Sequence, residues 1–436
     1  MEARKMVALK TMPEYNFFVT EPVIGPEHRP QTIDEVDVRQ AVLEDLALKT
    51  LYLSGSLSIS ELSEKIRLSF EVAKELSFQL RTELLCQVTG MNGHVPQIAI
   101  TAEGRNRAAD LLSLNHYTGP APVSLQSYVE QTRLQSVRKV EVHAGDVQRA
   151  FAHLVIDSDK LRKFGTALNS GSSIFLYGPP GTGKTTIAET LSRVIAEDEV
   201  WIPYAVEVDG QIITVFDPAI HQRAAESHSK SCDNRWVRCQ RPAVLVGGEL
   251  TAEMLDMQFN PVSKFYVGPV QMKANNGVLI IDDFGRQRIR PEDLLNRWVV
   301  PLDRRIDFLT LAGGKKLEIP FEMLVVFASN MDPAELVDAC FLRRIQTKIK
   351  IGAVPDAQFC EIFRRVAEEN HVGFDPGVCL DLIAFIHNTM KQELRHCYPR
   401  DIVNQVIWSA RYENRTPYLD SAAMAQAVEA YFLAKS

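Results

Sequence analysis

The sequence predicts an α/β protein: a core with a parallel sheet around a glycine-rich loop, a smaller α+β domain in front of it and a run of helices behind. Three observations predict this. The apolar run SSIFLYG leads directly into Gly178-Pro-Pro-Gly-Thr-Gly-Lys-Thr185, and an amphipathic helical stretch, TTIAETLSRVIAE, follows. A second apolar run, Val278-Leu-Ile-Ile281, ends in the carboxylates Asp282 and Asp283, as a buried parallel strand would. Residues 36–116 switch between helical and strand periodicity in a compact order, and residues 353–436 are helical almost throughout.

Length and composition bound the rest. A chain of 436 residues exceeds what one hydrophobic core organises, so two or three domains are expected. The hydrophobic share of 46% and charged share of 24% are those of a folded globular chain, which excludes a wholly disordered or membrane-embedded protein. The opening MEARKMVALKTMPEYNFFVT lacks the apolar centre of a signal peptide, and no run of about 18 apolar residues occurs, which predicts a cytoplasmic protein without membrane insertion. Seven cysteines, odd in number and without dense spacing, read as free thiols in a reducing compartment. The net charge of -7 offers no whole-chain excess of Lys and Arg to a phosphate backbone, so any nucleic-acid site would be local.

Residues 1–35, with Pro13, Pro22, Pro26 and Pro30, predict an extended strap or tail. From Val38 the pattern VRQAVLEDLALKTLYLSG predicts a helix that Gly55 stops. SISELSEKIRL and FEVAKELSFQLRTELL predict two more helices, CQVTGM and QIAIT a hairpin turning at Asn92-Gly93, and AEGRNRAADLL a closing helix. The order helix, helix, helix, hairpin, helix resembles a winged-helix domain over 36–116. Such domains often bind DNA, but here Glu71, Glu75 and Glu83 outnumber Lys74 and Arg81 on the third helix, and MNGHVP offers no Lys or Arg. A protein partner is therefore favoured over DNA. NHYTGPAPVSL, with Gly119, Pro120 and Pro122, opens a linker over 117–145 that reads as a semi-rigid hinge.

The glycine loop carries the chemistry. Gly178, Gly181 and Gly183 let backbone N–H groups turn toward phosphate oxygens at a helix N-terminus; Pro179, Pro180 and Thr182 complete the loop. Lys184 is placed to reach the β- and γ-phosphates of ATP, Thr185 to offer a hydroxyl to Mg²⁺, and Thr186 continues the contact. At the end of the second strand Asp282 is placed to hold Mg²⁺ through water and Asp283 to polarise the attacking water.

GPPGTGKT, VLIIDD, VVFASN and FLRRI, in that order, resemble the AAA+ ATPase superfamily, the first two being its Walker A and Walker B motifs. The resemblance covers about residues 146–436 and implies an α/β ATPase core over 146–352 with a helical lid over 353–436. It implies a sensor-1 role for Asn330, an arginine finger at Arg344 in preference to Arg343, and a sensor-2 arginine at Arg400. A surface charge or an intrachain ion pair is the plainer reading of either finger candidate, and a simple helix start with Pro399 that of Arg400. The family usually carries Glu where this chain has Asp283, one methylene shorter; that departure bears on the hydrolysis rate.

From Lys184 to Asp282 is 282 − 184 = 98 residues, more than a minimal crossover needs, so material is inserted. IPYAVEVDGQIITVFD predicts a hairpin at Asp209-Gly210, and RPAVLVGGELTAEMLDM a strand and a short helix. GPVQMKANNGVLIIDD and the hairpin-like IDFLTLAGGKKLEIP resemble the helix-2-insert branch, which includes MoxR-type ATPases. Phe265-Tyr266-Val267-Gly268 lies only 282 − 268 = 14 residues before Asp282, which favours a packed segment over a pore loop. Arg286, Arg288 and Arg290 gather in the loop after the acids, facing a pore, a neighbouring subunit or water. His221, His228, Cys232 and Cys239 lack close Cys-x-x-Cys spacing and argue against zinc. The finger arginine and the acidic surface of the third helix point to a homo-oligomeric ring, a hexamer favoured, that remodels or assembles protein partners recruited by the N-terminal domain. A DNA-associated ATPase and a slow nucleotide switch are the alternatives.

Overall fold

The computed structural model describes residues 26–196, 198–225, 231–336 and 339–432. The expectations for residues 1–25, His228 and the last four residues lie outside these.

The N-terminal part follows the predicted order with one addition. Helix α1 (Gln40–Ser54) stops at Gly55, whose φ of 79° an L side chain rarely adopts. A short strand β1 (Ser56–Ser58) then leads into α2 (Ile59–Ile66), opened by a capping box between Ser58 and Glu61, and α3 (Phe70–Thr82), capped by Ser69. The hairpin β2 (Cys86–Asn92) and β3 (Val95–Ile100) precedes α4 (Ala102–Leu114). Strand β1 was not expected; it pairs antiparallel with β3 and makes a three-stranded sheet ordered β1-β3-β2. Ahead of it, Ile33 is buried and Arg29 donates to the Leu68 carbonyl at 2.7 Å, so the described end of the extended segment is a strap.

The stretch read as a hinge is packed instead. Tyr117, Ala121 and Val123 are buried, the Tyr117 ring meets Phe265 edge-on at 5.6 Å, and β4 (Val123–Ser124) joins a sheet before α5 (Leu125–Leu134). Proline restricts a backbone whether it lies in a tether or a packed segment, and here the interleaved apolar side chains decide for packing.

Helices α6 (Ala144–Ala150) and α7 (Ser158–Ser170) lead to the core strand β5 (Ile174–Tyr177), the glycine loop and α8 (Lys184–Ile195). The insertion follows: β6 (Glu199–Pro203), the hairpin β7 (Ala205–Val208) and β8 (Gln211–Thr214), and β9 (Trp236–Gln240). Asp209 and Gly210 both have positive φ, 50° and 83°, as a two-residue hairpin turn requires. After core strand β10 (Ala243–Val246) come β11 (Gln258–Asn260), β12 (Phe265–Val267) and α9 (Val270–Ala274). The insertion builds a second sheet, β11-β12-β8-β7-β4, which recruits its last strand from the segment before the core. Tyr266 is buried within it, the packed reading of that aromatic segment.

Strand β13 (Val278–Ile281) carries the acids at its end; α10 (Pro291–Arg297), α11 (Val299–Arg304) and the hairpin β14 (Ile306–Thr310) with β15 (Lys316–Pro320) follow. Then come β16 (Leu324–Ser329), the short helices α12 (Pro333–Leu336) and α13 (Ala339–Leu342), and β17 (Thr347–Lys350). The main sheet is wholly parallel, ordered β10-β13-β16-β5-β17. Its apolar runs are buried on both faces: Phe175, Leu279, Ile281, Val325 and Phe327 pack to one side, their alternating neighbours to the other. Phe175 stacks on Phe327 and Phe284 meets both edge-on, with centroids 5.0–5.9 Å apart, which packs the strand ends next to the acids.

The C-terminal part is helical as expected: α14 (Asp356–Glu369), α15 (Pro376–Ala384), α16 (Cys397–Tyr412) and α17 (Ser421–Tyr431) enclose a core of their own, with the short pair β18 (Gly373–Phe374) and β19 (Tyr418–Leu419). No helix among the described residues is long and apolar enough to cross a membrane.

Candidate nucleotide site

Parallel strands deliver their C-terminal ends to one edge of the sheet, and loops there face one cleft. Tyr177 ends β5, Ile281 ends β13 and Ser329 ends β16, so the glycine loop, the acids and Asn330 emerge side by side. The cleft encloses about 740 Å³ between this edge and the C-terminal helices.

The loop fits its place only as glycine. Gly178 has φ 147°, its N–H donates to the Ser329 carbonyl at 3.3 Å, and a Cβ on it would collide with the Ile351 carbonyl. Gly181 has φ 78°, and a Cβ would come within 2.5 Å of the Cys397 sulfur. The contact is close because the N–H of Cys397, at the start of α16, donates to the Gly181 carbonyl at 3.0 Å. The C-terminal helical part thus rests on the loop through main chain.

Lys184 is buried and folded onto the loop, donating to the carbonyls of Gly178 at 3.0 Å and Pro179 at 2.8 Å. Burial holds its ammonium below the ordinary lysine value, against the upward pull of Asp283 and Asp282. The Thr185 hydroxyl lies 3.0 and 2.9 Å from the two carboxylate oxygens of Asp282. A hydroxyl and a carboxylate converging on one point form the hard-oxygen donor set a Mg²⁺ ion takes alongside water and phosphate, so these residues fit that ion. Asn330 donates to Asp283 Oδ1 at 2.8 Å. Asp283 has φ 49°, a backbone state that costs of order 1–3 kcal/mol for an L residue.

The lining also includes apolar residues: Leu154, Val155 and Ile156 before α7, and Ile362 and Val366 of α14, together with His396. Burial pushes the His396 imidazole down to about 4, with Lys160 adding to the effect, so the ring is neutral at pH 7. Its Nδ1 is buried without a hydrogen-bond partner among the described residues.

The expected site residues divide accordingly. Pro180, Gly181, Thr182, Gly183, Lys184, Thr185, Thr186, Asp282, Asp283, Asn330 and Arg400 line the cleft, whereas Gly178 and Pro179 touch it only through the carbonyls that accept from Lys184. Arg400 is exposed and its Nε donates to Asp401 at 3.1 Å. The finger candidates lie off the cleft. Arg344 is held by Asp303 at 2.9 Å, the plainer intrachain reading, whereas Arg343 is exposed. Sequence reasoning missed Leu154, Val155, Ile156, Ile362, Val366 and His396, since apolar residues in a loop or on a helix face look the same whether they meet core or ligand. His221 binds Asp217 N–H through Nδ1 and the Lys273 carbonyl through Nε2, both at hydrogen-bond distance, and Cys239 is buried in β9.

A family model described as "Domain of unknown function (DUF8689)" matches residues 355–430. No curated protein sequence matches the chain. Among solved structures, NtrX from Brucella abortus in complex with ADP is similar at 13% identity and TM-score 0.39, covering 63% of this chain and 56% of its own. The Thermotoga maritima RuvB Holliday junction branch migration motor matches at 14% identity and TM-score 0.38, over 63% of this chain and 70% of its own. Domain III of the Thermotoga maritima replication initiation protein DnaA matches at 13% identity and TM-score 0.37, over 65% and 97%. The chain therefore spans little more than half the length of NtrX.

Proposed function

We propose that the chain is a Mg²⁺-dependent ATPase of the AAA+ type that assembles into a ring, a hexamer, and remodels protein partners recruited through residues 36–116. The observation that carries this reading is the convergence in one cleft of Lys184, the Thr185–Asp282 oxygen pair and the Asp283–Asn330 pair. The loop N–H groups and Lys184, released from the Gly178 and Pro179 carbonyls, bind the phosphates. Mg²⁺, when bound, supplies charge neutralisation at the β- and γ-phosphates. Asp283 takes a proton from the water whose oxygen attacks the γ-phosphorus; the bond to the β–γ bridging oxygen breaks and its electron pair leaves with ADP. The apolar slot and the unpartnered Nδ1 of His396 suit a purine base. Arg400 reaches the phosphates from the lid, and Arg343, exposed, is better placed than Arg344 to reach a neighbouring subunit.

The hairpin over Ile306–Pro320, immediately before β16, supports the helix-2-insert branch. A protein partner is supported over DNA by the exposed Phe78, Leu84 and Met91, beside Glu71 and Glu83. The test is steady-state ATP hydrolysis across protein concentration, with Lys184→Ala as the blank. Specific activity that rises with concentration supports shared sites. Turnover and nucleotide binding equal to the blank at every concentration overturn the ATPase reading, and salt-sensitive DNA binding stronger than any protein association overturns the partner class.

A further inference from the structure

We infer that Arg286 is a further phosphate-binding cation of this cleft, supplied by the same chain beside Lys184 and Arg400, which recognises the terminal phosphate and so distinguishes ATP from ADP; the inference rests on the nucleotide reading above. Arg286 lines the cleft at the end that holds Asp282, Asp283 and Asn330. The other lysine and arginine side chains lining it are engaged. Lys184 is folded onto loop carbonyls, Arg365 binds Glu361 at 2.7 Å and the Ala152 carbonyl at 3.0 Å, and Arg400 binds Asp401. Arg286 is exposed and its guanidinium has no hydrogen bond or ion pair with any described residue.

That freedom is notable because two carboxylates lie close in sequence and in space. Asp282 is taken by Thr185 and Asp283 by Asn330, which leaves the guanidinium uncommitted. Its backbone is not free. The Arg286 N–H donates to the Asp283 carbonyl at 2.9 Å, Gln287 accepts from Gly285 N–H at 2.8 Å, and the same Gln287 side chain donates to the Asp282 carbonyl at 2.7 Å. Gly285 turns at φ 109°, and Ile289 is buried just beyond. The turn is thus pinned on both sides of Arg286, so the guanidinium starts from a fixed point at the mouth beside the acids. Of its neighbours, Arg290 pairs with Asp293 at 2.8 Å and Arg288 does not line the cleft. A planar, permanently charged fork with no counter-ion, anchored next to the proposed general base, has the chemistry to take two oxygens of a phosphate. ADP lacks the terminal group.

The experiment is titration calorimetry of the full chain in Mg²⁺ with two probes, ADP and the non-hydrolysable β,γ-methylene analogue of ATP, on wild type, Arg286→Ala and Arg286→Lys. The expected result is that Arg286→Ala weakens the analogue about tenfold while ADP changes less than about twofold, the loss of one charge-assisted contact. Arg286→Lys, which keeps the charge and loses the fork, should fall between. An unchanged ratio of the two affinities overturns the inference, whether both are unaffected or both weaken equally. Wild type that binds neither probe overturns the nucleotide reading itself, a separate outcome from an unchanged ratio.

Discussion

Asn330 donates its side-chain amide to Asp283 Oδ1 across 2.8 Å, joining the ends of two adjacent parallel strands. Asp283 stands two residues past β13 and Asn330 one past β16, and the register that pairs Ile281 with Phe327 brings them together. The bond holds a carboxylate whose backbone is already strained at φ 49°. In the proposed role of general base, Asp283 would divide its carboxylate between Asn330 and the attacking water. Its reach depends on geometry that one methylene changes.

Asp283→Asn should therefore abolish turnover by about 10²–10⁴-fold while leaving ATP binding intact, because the phosphate contacts come from other residues. Asp283→Glu should raise kcat several-fold, since the longer side chain regains about 1.5 Å toward the water. Single-turnover hydrolysis with parallel binding titrations checks both; a kcat for Asp283→Glu at or below wild type would show that reach is not limiting.

The sheet and the phosphate end of the site were legible because each depends on local chemistry. Gly178, Gly181 and Lys184 announce a loop that only glycine permits, and VLIIDD reads as a buried strand whatever surrounds it. What failed to show depended on distant partners. The hinge reading of Gly119, Pro120 and Pro122 missed that Val123 would pair with Val206, some eighty residues on. Strand β1 exists because β3 offers it an edge, not because Ser-Leu-Ser favours extension. The preference for Arg344 came from the resemblance of the FLRRI segment, which carries no information about Asp303. Arg286 was visible as a charge but not as one left without a partner among the described residues.

Lys49 gives the N-terminal part a pH signature. It is buried on α1, its ammonium donates to the Asn115 carbonyl at 3.1 Å, and burial, opposed by Asp45, pushes it down from 10.5 to about 8. Below pH 8 both folded and unfolded chains carry the proton, so the folded state bears the whole cost of burying it. Between about 8 and 10.5 the folded chain sheds the proton first and the cost fades as pH rises. Lys49→Met should thus stabilise the fold on the order of 2 kcal/mol at pH 7, with the gain shrinking by pH 10. Urea unfolding at both pH values checks this; a gain that is the same at pH 10 would place its origin in packing.

Arg235 ties the strap, the packed linker and the insertion together. Its guanidinium binds both oxygens of buried Asp233, Asp37 at 2.7 Å and the Pro122 carbonyl at 3.1 Å. Arg235→Met would leave Asp233 buried without its counter-ion, and should cost about 3–5 kcal/mol. Adding Asp233→Asn removes the stranded charge and should recover part of that loss. Chemical denaturation of the single and double variants measures the difference; no recovery in the double variant would show that Asp233 does not depend on Arg235.

The two neighbouring arginines separate by mixing. Arg344 is bound to Asp303 within its own chain, so Arg344→Ala should lose a partly exposed ion pair worth about 0–1 kcal/mol and keep most of its ATPase activity. Arg343 is exposed, and if it completes a neighbour's site, Arg343→Ala should lower turnover about 10³-fold or more without weakening ATP binding. Lys184→Ala is inactive for a different reason, the loss of its own phosphate site. In a mixed ring an Arg343→Ala chain keeps a whole phosphate loop, and a Lys184→Ala chain beside it keeps a whole finger. Mixing the two dead variants should therefore restore a fraction of wild-type turnover that peaks near equal proportions. A mixture as inactive as its components would place the stabilising charge in the same chain, among Lys184, Arg286 and Arg400.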